Sequence, residues 1–388
     1  MAGSARRRPG IYVHVPFCEQ RCYYCSFTVA VSGKETWEPY VRRLIREIEL
    51  AGLSAPEDSP ETIFLGGGTP SIIDADLIER ILLALPSGAE EISLESNPGT
   101  LGAPKLERYR ELGINRISLG AQSFHDEDLK NSGRLHTSRD VFSDFEMLRK
   151  TGFENISIDL IAGLPGQRFE VWQQNLNWIE CLRPEHVSTY MLELEERSAW
   201  GKKLPDISAM KHDEDFVRFY EEAAGRLQSA GYVHYEISNW ALPGSECRHN
   251  QKYWNGAPYR GFGVSAHSFD GSRRFWNTVS LKEYADTIDA GNLPVAGEEE
   301  ITRELRIEES FLLGLRQMKG FDIHALAAEL GFQYSREWFT RARNLEEAGL
   351  ITFEGSVLKL SPPGWLVANS VTQELLWPTL ISTSEATR

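Results

Sequence analysis

Residues 12–27 read YVHVPFCEQRCYYCSF. Ile11–Val15 is short, apolar and alternating, which predicts a strand, and Cys18, Cys22 and Cys25 lie in the turn directly after it. Three thiolates spaced C-x3-C-x2-C can hold three irons of a [4Fe–4S] cube and leave the fourth iron without a protein ligand. Clusters that only carry electrons are usually held by four cysteines. The open iron points to a small molecule that binds there, and to chemistry at that corner. A structural zinc site is one alternative and needs four closed ligands. His14 is the candidate fourth, but strand alternation puts it on a strand face, outside the loop. Disulfides are the other alternative; five cysteines with three in one turn fit a reducing compartment better.

Beyond the loop, short apolar runs alternate with amphipathic stretches. Helix Thr36–Ala51 sets Val41, Leu44, Ile45 and Ile48 on one face and stops at Gly52. Strand Thr62–Leu65 runs into Gly66-Gly67-Gly68-Thr69-Pro70, and helix Asp74–Leu85 takes Asp74 as its N-cap. Strand Glu91–Glu95, helix Lys105–Leu112, strand Arg116–Leu119, helix Arg139–Lys150, strand Asn155–Ile161, helix Phe169–Leu182 and strand His186–Leu192 complete the series. Strands separated by helices predict an α/β fold with a parallel sheet and right-handed crossovers. Six such units make a partial, open (β/α)6 TIM-like barrel rather than a closed eight-stranded one. Loops after the strands share one edge of the sheet, where α/β proteins place their sites. Cys18–Cys25, Gly66–Pro70, Glu95, Gln122 and Asp159 are therefore expected to line one cavity.

With 388 residues the chain has room for one large domain and a smaller one. Residues 1–197 form the barrel in this reading. Residues 198–300 hold a linker (Ser198–Met210), a helix (Glu214–Ala230), a strand (Val233–Ile237) and an irregular aromatic-rich stretch (Trp240–Phe269). Residues 301–388 turn to helices, Arg303–Met318, Ile323–Leu330 and Arg336–Ala348, and a hairpin of Leu350–Phe353 with Val357–Leu360. Helices plus a hairpin resemble a mainly helical winged-helix module. It is not strongly basic, so a packing or covering role is expected rather than DNA binding.

The formal net charge of −15 disfavours a general nucleic-acid binder. No apolar run approaches bilayer length, and the arginine-bearing start Met1–Gly10 lacks a signal peptide's apolar stretch, so a cytoplasmic protein is expected. Cys181, near the end of its helix, reads as a small buried hydrophobe.

The cysteine spacing, with Tyr24 before the last cysteine, and the glycine run Gly66–Pro70 one helix and one strand downstream resemble the radical S-adenosylmethionine (SAM) superfamily. Backbone must approach the methionine end of that cofactor closely, which disfavours side chains there. Four further stretches, Tyr12–Cys18, Glu95-Ser96-Asn97-Pro98, Arg116–Phe124 and Asp159–Pro165, narrow the likeness to the oxygen-independent coproporphyrinogen-III oxidase family. That resemblance implies that Tyr12 and Glu95 contact the cluster-bound cofactor. It also implies that Tyr24, Gly67, Gly68, Thr69, Gln122, Arg134 and Asp159 line a second cofactor site. The chemistry is compatible: Glu95 and Asp159 can accept from ribose hydroxyls, Gln122 can donate and accept, and Arg134 can pair with a carboxylate.

Two departures separate the chain from the oxidase proper. The oxidase has another cysteine two positions after the third, where this chain has Phe27, and it carries a long N-terminal extension, whereas the first strand here begins by Ile11. Both features resemble the haem chaperone branch of the family, as does Arg248-His249-Asn250-Gln251-Lys252-Tyr253-Trp254, which fits that branch's H-N-x-x-Y-W signature. The resemblance implies a [4Fe–4S] cluster, SAM and haem as ligands, and transfer of haem to an acceptor haem protein with at most transient membrane-protein contact. In it the protein is a chaperone rather than an enzyme; the enzymatic alternative is oxidative decarboxylation of coproporphyrinogen III. His249 can supply an axial imidazole, Tyr253 and Trp254 flat apolar surface, and Arg248 a partner for a propionate. Cys247 is a second soft ligand or a small filler, the latter preferred. The place of His267, in Ser265-Ala266-His267-Ser268-Phe269, stays open.

Overall fold

Strand β1 (Gly10–Val15) shows how the sheet is built: Ile11, Val13 and Val15 are fully buried, alternating with Tyr12 and His14 on the other face. The same division recurs along the sheet in a computed structural model that describes residues 8–53, 58–203, 213–376 and 380–382. The elements that follow are α1 (Trp37–Ala51), β2 (Thr62–Gly67), α2 (Ala75–Ala84), β3 (Glu91–Ser96), α3 (Ala103–Glu111), β4 (Arg116–Gln122), α4 (Ser138–Lys150), β5 (Ile156–Ala162), α5 (Phe169–Leu182) and β6 (His186–Met191). Strands β1 to β6 pair in sequence order and all in parallel. In β4, Ile117, Leu119 and Ala121 are fully buried between Arg116, Ser118, Gly120 and Gln122; in β5, Ile156, Ile158 and Leu160 alternate with Ser157 and Asp159. Two-residue periodicity thus gives the sheet one apolar face for the helices and one polar face for chemistry. The helices supply matching stripes, such as Val41, Leu44 and Ile48 of α1 and Trp172, Leu176 and Ile179 of α5.

The stretch expected to be irregular contributes strands instead. Helix α6 (Asp213–Ser229) leads to β7 (Asn239–Ala241), antiparallel to β6. After helix α7 (Arg248–Trp254) comes β8 (Tyr259–Phe262), which lies parallel to β1 on its free side; β9 (His267–Phe269) and β10 (Arg273–Asn277) follow antiparallel. Helix α8 (Leu281–Asp289) and β11 (Val295–Glu300) extend that edge. Runs of three to five residues are too short for periodicity to reveal. Residues 204–210 of the expected linker, and Arg6 and Arg7, lie outside the described residues.

One local expectation is corrected and two are refined. Cys181 is exposed: α5 buries Val171, Trp172, Leu176 and Ile179, and two residues beyond Ile179 the helix has turned away from that stripe. Asp74 holds the N-cap position of α2 with extended backbone, but its side chain makes no capping bond and lies 3.9 Å from Lys34. Ile45 is only half-buried.

The chain divides into two compact units. One comprises residues up to 233 with 238–249 and 258–299, the other 234–237, 250–257 and 300 onward. In the second, helices Arg303–Gly314, Ile323–Leu330 and Arg336–Glu347 and the hairpin Ile351–Glu354 with Val357–Leu360 enclose Phe311, Leu315, Trp338 and Leu358, all fully buried. A two-residue strand, Phe321–Asp322, pairs with the hairpin.

Candidate iron–sulfur and cofactor site

The cysteine loop is clamped at its base. Phe17–Cys18 pairs in parallel with Ala30–Val31, and the Ala30 N–H donates to Pro16 O at 2.7 Å. Inside the loop the Cys25 N–H closes a turn on Cys22 O at 3.2 Å. His14 ties the far side down: one ring nitrogen, Nε2, lies 2.8 Å from Thr28 O, and the other, Nδ1, lies 2.9 Å from the Tyr12 hydroxyl. A carbonyl only accepts, so Nε2 carries the proton and Nδ1 accepts from Tyr12. Burial lowers the His14 pKa to about 4, so the ring is neutral. With both nitrogens engaged, His14 is no fourth ligand for zinc.

The glycine run is stitched to that loop. The Gly68 N–H donates to Val15 O and the Thr69 N–H to Phe17 O, each at 2.8 Å. Gly67 has φ +113°, and a Cβ there would stand 2.6 Å from the His14 ring; a Cβ on Gly68 would stand 2.6 Å from Phe17 O. Neither position admits a side chain without moving the cysteine loop. The Gly67 N–H donates to Glu95 Oε2 at 3.1 Å.

Thr69 Oγ1 lies 3.5 Å from Cys18 Sγ and accepts from Asn97 Nδ2 at 2.8 Å. Arg134 donates to Asn97 Oδ1 (2.7 Å), Gly120 O (2.5 Å), Tyr24 OH (3.4 Å) and Cys22 Sγ (3.5 Å). Gln122, in a left-handed conformation with φ 67°, brings its Nε2 over Gly120 beside Asn97 Oδ1 and Arg134 Nη2. A cleft opens here, lined by Cys22, Thr69, Asn97, Gly133, Arg134 and His136. Asp159 lies deeper, at mid-strand in β5 rather than at the sheet edge. It accepts from Ser118 Oγ (2.8 Å) and Ser157 Oγ (3.0 Å), and hydrogen-bonds Ser188 as well. Of the residues singled out in the sequence, Tyr24, Thr69, Gln122 and Arg134 gather around the cysteines. Glu95 meets the glycine run, and Tyr12 meets it indirectly through His14.

Electrostatics follow from burial. Desolvation raises Cys18 to about 11, against the Thr69 contact, and raises Cys25 too. Burial first, then the Asp159 charge, pushes Glu95 up to about 7. Among the described residues no three His, Cys, Asp or Glu side chains converge on a single ion. A cube does not require it, because each thiolate takes a different iron. Three half-buried thiols on one clamped loop, facing a hydroxyl and a guanidinium, fit such a cluster.

His249 lies at the other end of the strands. Its Nδ1 is 2.8 Å from Oγ1 of Thr62, the first residue of β2, and its ring stacks on Phe64 at 5.2 Å. It is 1 % exposed. Glu91, the first residue of β3, accepts from the Arg248 N–H (3.1 Å), the His249 N–H (3.0 Å) and Cys247 Sγ (3.8 Å), and so holds the start of α7. The Arg248 guanidinium is paired with Glu61 and Glu90 rather than left open for a propionate. Cys247 is buried, in keeping with the filler role.

The sequence did not single out Asn97 as functional. Asn97 precedes a proline, where asparagine is an ordinary turn residue, and nothing local shows that its amide joins Thr69 to Arg134.

Residues 12–179 match the Radical SAM superfamily, and residues 301–367 the HemN C-terminal domain. The chain is 34 % identical to "Heme chaperone HemW" of Bacillus subtilis, over 93 % of this chain and 97 % of that one. It is 38 % identical to the protein of the same description from Synechocystis, over 80 % and 78 %. Among solved structures, the coproporphyrinogen III oxidase HemN of Escherichia coli superposes with a TM-score of 0.84 at 23 % identity, covering 96 % of this chain and 92 % of that one.

Proposed function

Because this chain belongs to the HemW heme chaperone family of radical SAM proteins, we propose that it binds haem and passes it to an acceptor haem protein. It does so while carrying a [4Fe–4S] cluster on Cys18, Cys22 and Cys25, with SAM beside it. The family likeness over nearly the full length of both chains carries this reading. Tyr12 and Glu95 are the residues proposed at the cluster-bound cofactor, with Tyr24, Gly67, Gly68, Thr69, Gln122, Arg134 and Asp159 around a second site. When bound, the cofactor supplies radical chemistry, which belongs to it rather than to the polypeptide. The chain's own part is to hold the cysteine loop against the glycine run, to keep side chains out of the approach, and to offer Glu95 and Arg134 as polar partners.

His249 is proposed as a haem ligand. Its imidazole must first leave Thr62 and Phe64, so haem binding involves a rearrangement at the start of α7. Haem titration of anaerobically reconstituted protein tests the function. A saturable Soret change in wild type, weakened in His249→Ala, is expected; an unchanged affinity in the variant removes His249 from the site. Anaerobic incubation with coproporphyrinogen III is expected to give no protoporphyrinogen, and substantial turnover would replace the chaperone reading with the oxidase one.

A further inference from the structure

Asn97 sits where two cysteine-facing donors meet. Its Oδ1 lies 2.7 Å from Arg134 Nη2, and its Nδ2 lies 2.8 Å from Thr69 Oγ1. A guanidinium only donates, so the amide oxygen must face Arg134 and the NH2 must face Thr69. Thr69 Oγ1 therefore accepts from Asn97. Its one hydroxyl hydrogen is then available to the atom on its other side, Cys18 Sγ at 3.5 Å. Arg134, held by Asn97 Oδ1 and Gly120 O, directs its other nitrogen at Cys22 Sγ, also at 3.5 Å. Thr69 is 3 % exposed.

We propose that Asn97 is a positioning residue that aims hydrogen-bond donors from Thr69 and Arg134 at the sulfurs of Cys18 and Cys22, and so sets the reduction potential of the cluster those cysteines hold. This rests on the cluster assignment proposed above. A thiolate sulfur can only accept. Donors aimed at cluster sulfurs stabilise the more negative, reduced form and raise the potential. An aspartate at position 97 would keep the Arg134 contact but present an acceptor to Thr69, turning its hydroxyl away from Cys18.

The test is the midpoint potential of the anaerobically reconstituted protein, read from the cluster's electron paramagnetic resonance signal in a redox titration, with iron and sulfide content measured in parallel. Asn97→Asp, Asn97→Ala and Thr69→Val are expected at more negative potentials than wild type. Thr69→Ser keeps the hydroxyl and is expected at the wild-type value. Fully loaded Asn97 variants with wild-type potential would overturn the proposal. If those variants do not load, Thr69→Val decides: no difference from Thr69→Ser overturns it, and a negative shift supports it. A wild-type protein that takes up no iron and sulfide would instead remove the cluster assignment itself.

Discussion

At the scale of single residues, Glu95 and Asp159 are two inward-facing carboxylates treated differently. Asp159 is surrounded by serine hydroxyls, whereas Glu95 receives one backbone N–H and feels the Asp159 charge. Because the folded-state pKa of Glu95 is raised to about 7 from the model-compound 4.5, the folded protein binds more protons than the unfolded chain between those values. Stability must then fall as pH rises through that window and level off above it. Glu95→Gln removes the titration while keeping the shape. The apo variant should match wild type near pH 4.5 and exceed it at pH 8 by on the order of 2 kcal/mol. Urea unfolding at both pH values checks this; equal stabilities at pH 8 would show that Glu95 titrates normally. His249 makes the complementary case. Its Thr62 bond and Phe64 stacking mean that His249→Ala should cost about 2 kcal/mol of stability besides any effect on haem, because Thr62 loses a buried partner. The cysteines and glycines were legible in the sequence because their chemistry depends on local spacing, whereas Arg134 entered only through the family resemblance. The burial of His249 was not, since Thr62 and Phe64 lie 187 and 185 positions away.

At the scale of elements, the strands and helices up to β6 were legible because each carries its own periodicity, apolar on alternate residues or along a helical stripe. The edge formed by β8, β9 and β10 was not, because it is defined by partners rather than by pattern. Glu47 shows why. In a helix rich in charged residues it reads as solvated, yet it is 1 % exposed. One carboxylate oxygen accepts from the Gly263 N–H (2.8 Å) and Tyr284 OH (2.6 Å), the other from Asn277 Nδ2 (2.7 Å). Beside it, Tyr40 OH donates to His14 O (2.8 Å) and accepts from the Val264 N–H (3.1 Å). One helix thus fastens β8, β10 and α8 to the strand that ends in the cysteine loop. Glu47→Ala would strip the Gly263 N–H and the Tyr284 hydroxyl of their acceptor and leave Asn277 Nδ2 with Gly263 O alone (2.8 Å), so a loss of about 3 kcal/mol is expected. Chemical denaturation measures it, and a loss below about 1 kcal/mol would mean that water replaces the carboxylate.

At the scale of the whole molecule, parallel strands separate two chemistries. The cysteine loop and the glycine run follow the C-terminal ends of β1 and β2, while Thr62 and Glu91, which hold His249 and the start of α7, begin β2 and β3. Six strand residues rising about 3.3 Å each put roughly 17–20 Å between the two ends. That exceeds the reach of any side chain. Among the described residues no helix is long and apolar enough to cross a membrane. If the proposed haem ligand and the cluster are separate sites at opposite ends of one sheet, each should survive loss of the other. Cys18→Ser, Cys22→Ser and Cys25→Ser combined should abolish iron–sulfur loading yet leave haem affinity within about twofold, a free-energy change near 0.4 kcal/mol. His249→Ala should weaken haem binding while the cluster still loads and still changes its spectrum on adding SAM. Parallel titrations of both variants decide the matter. A triple-serine protein that has lost haem binding while keeping its fold by circular dichroism would place haem at the cysteine end of the strands, and His249 would then be a core residue only.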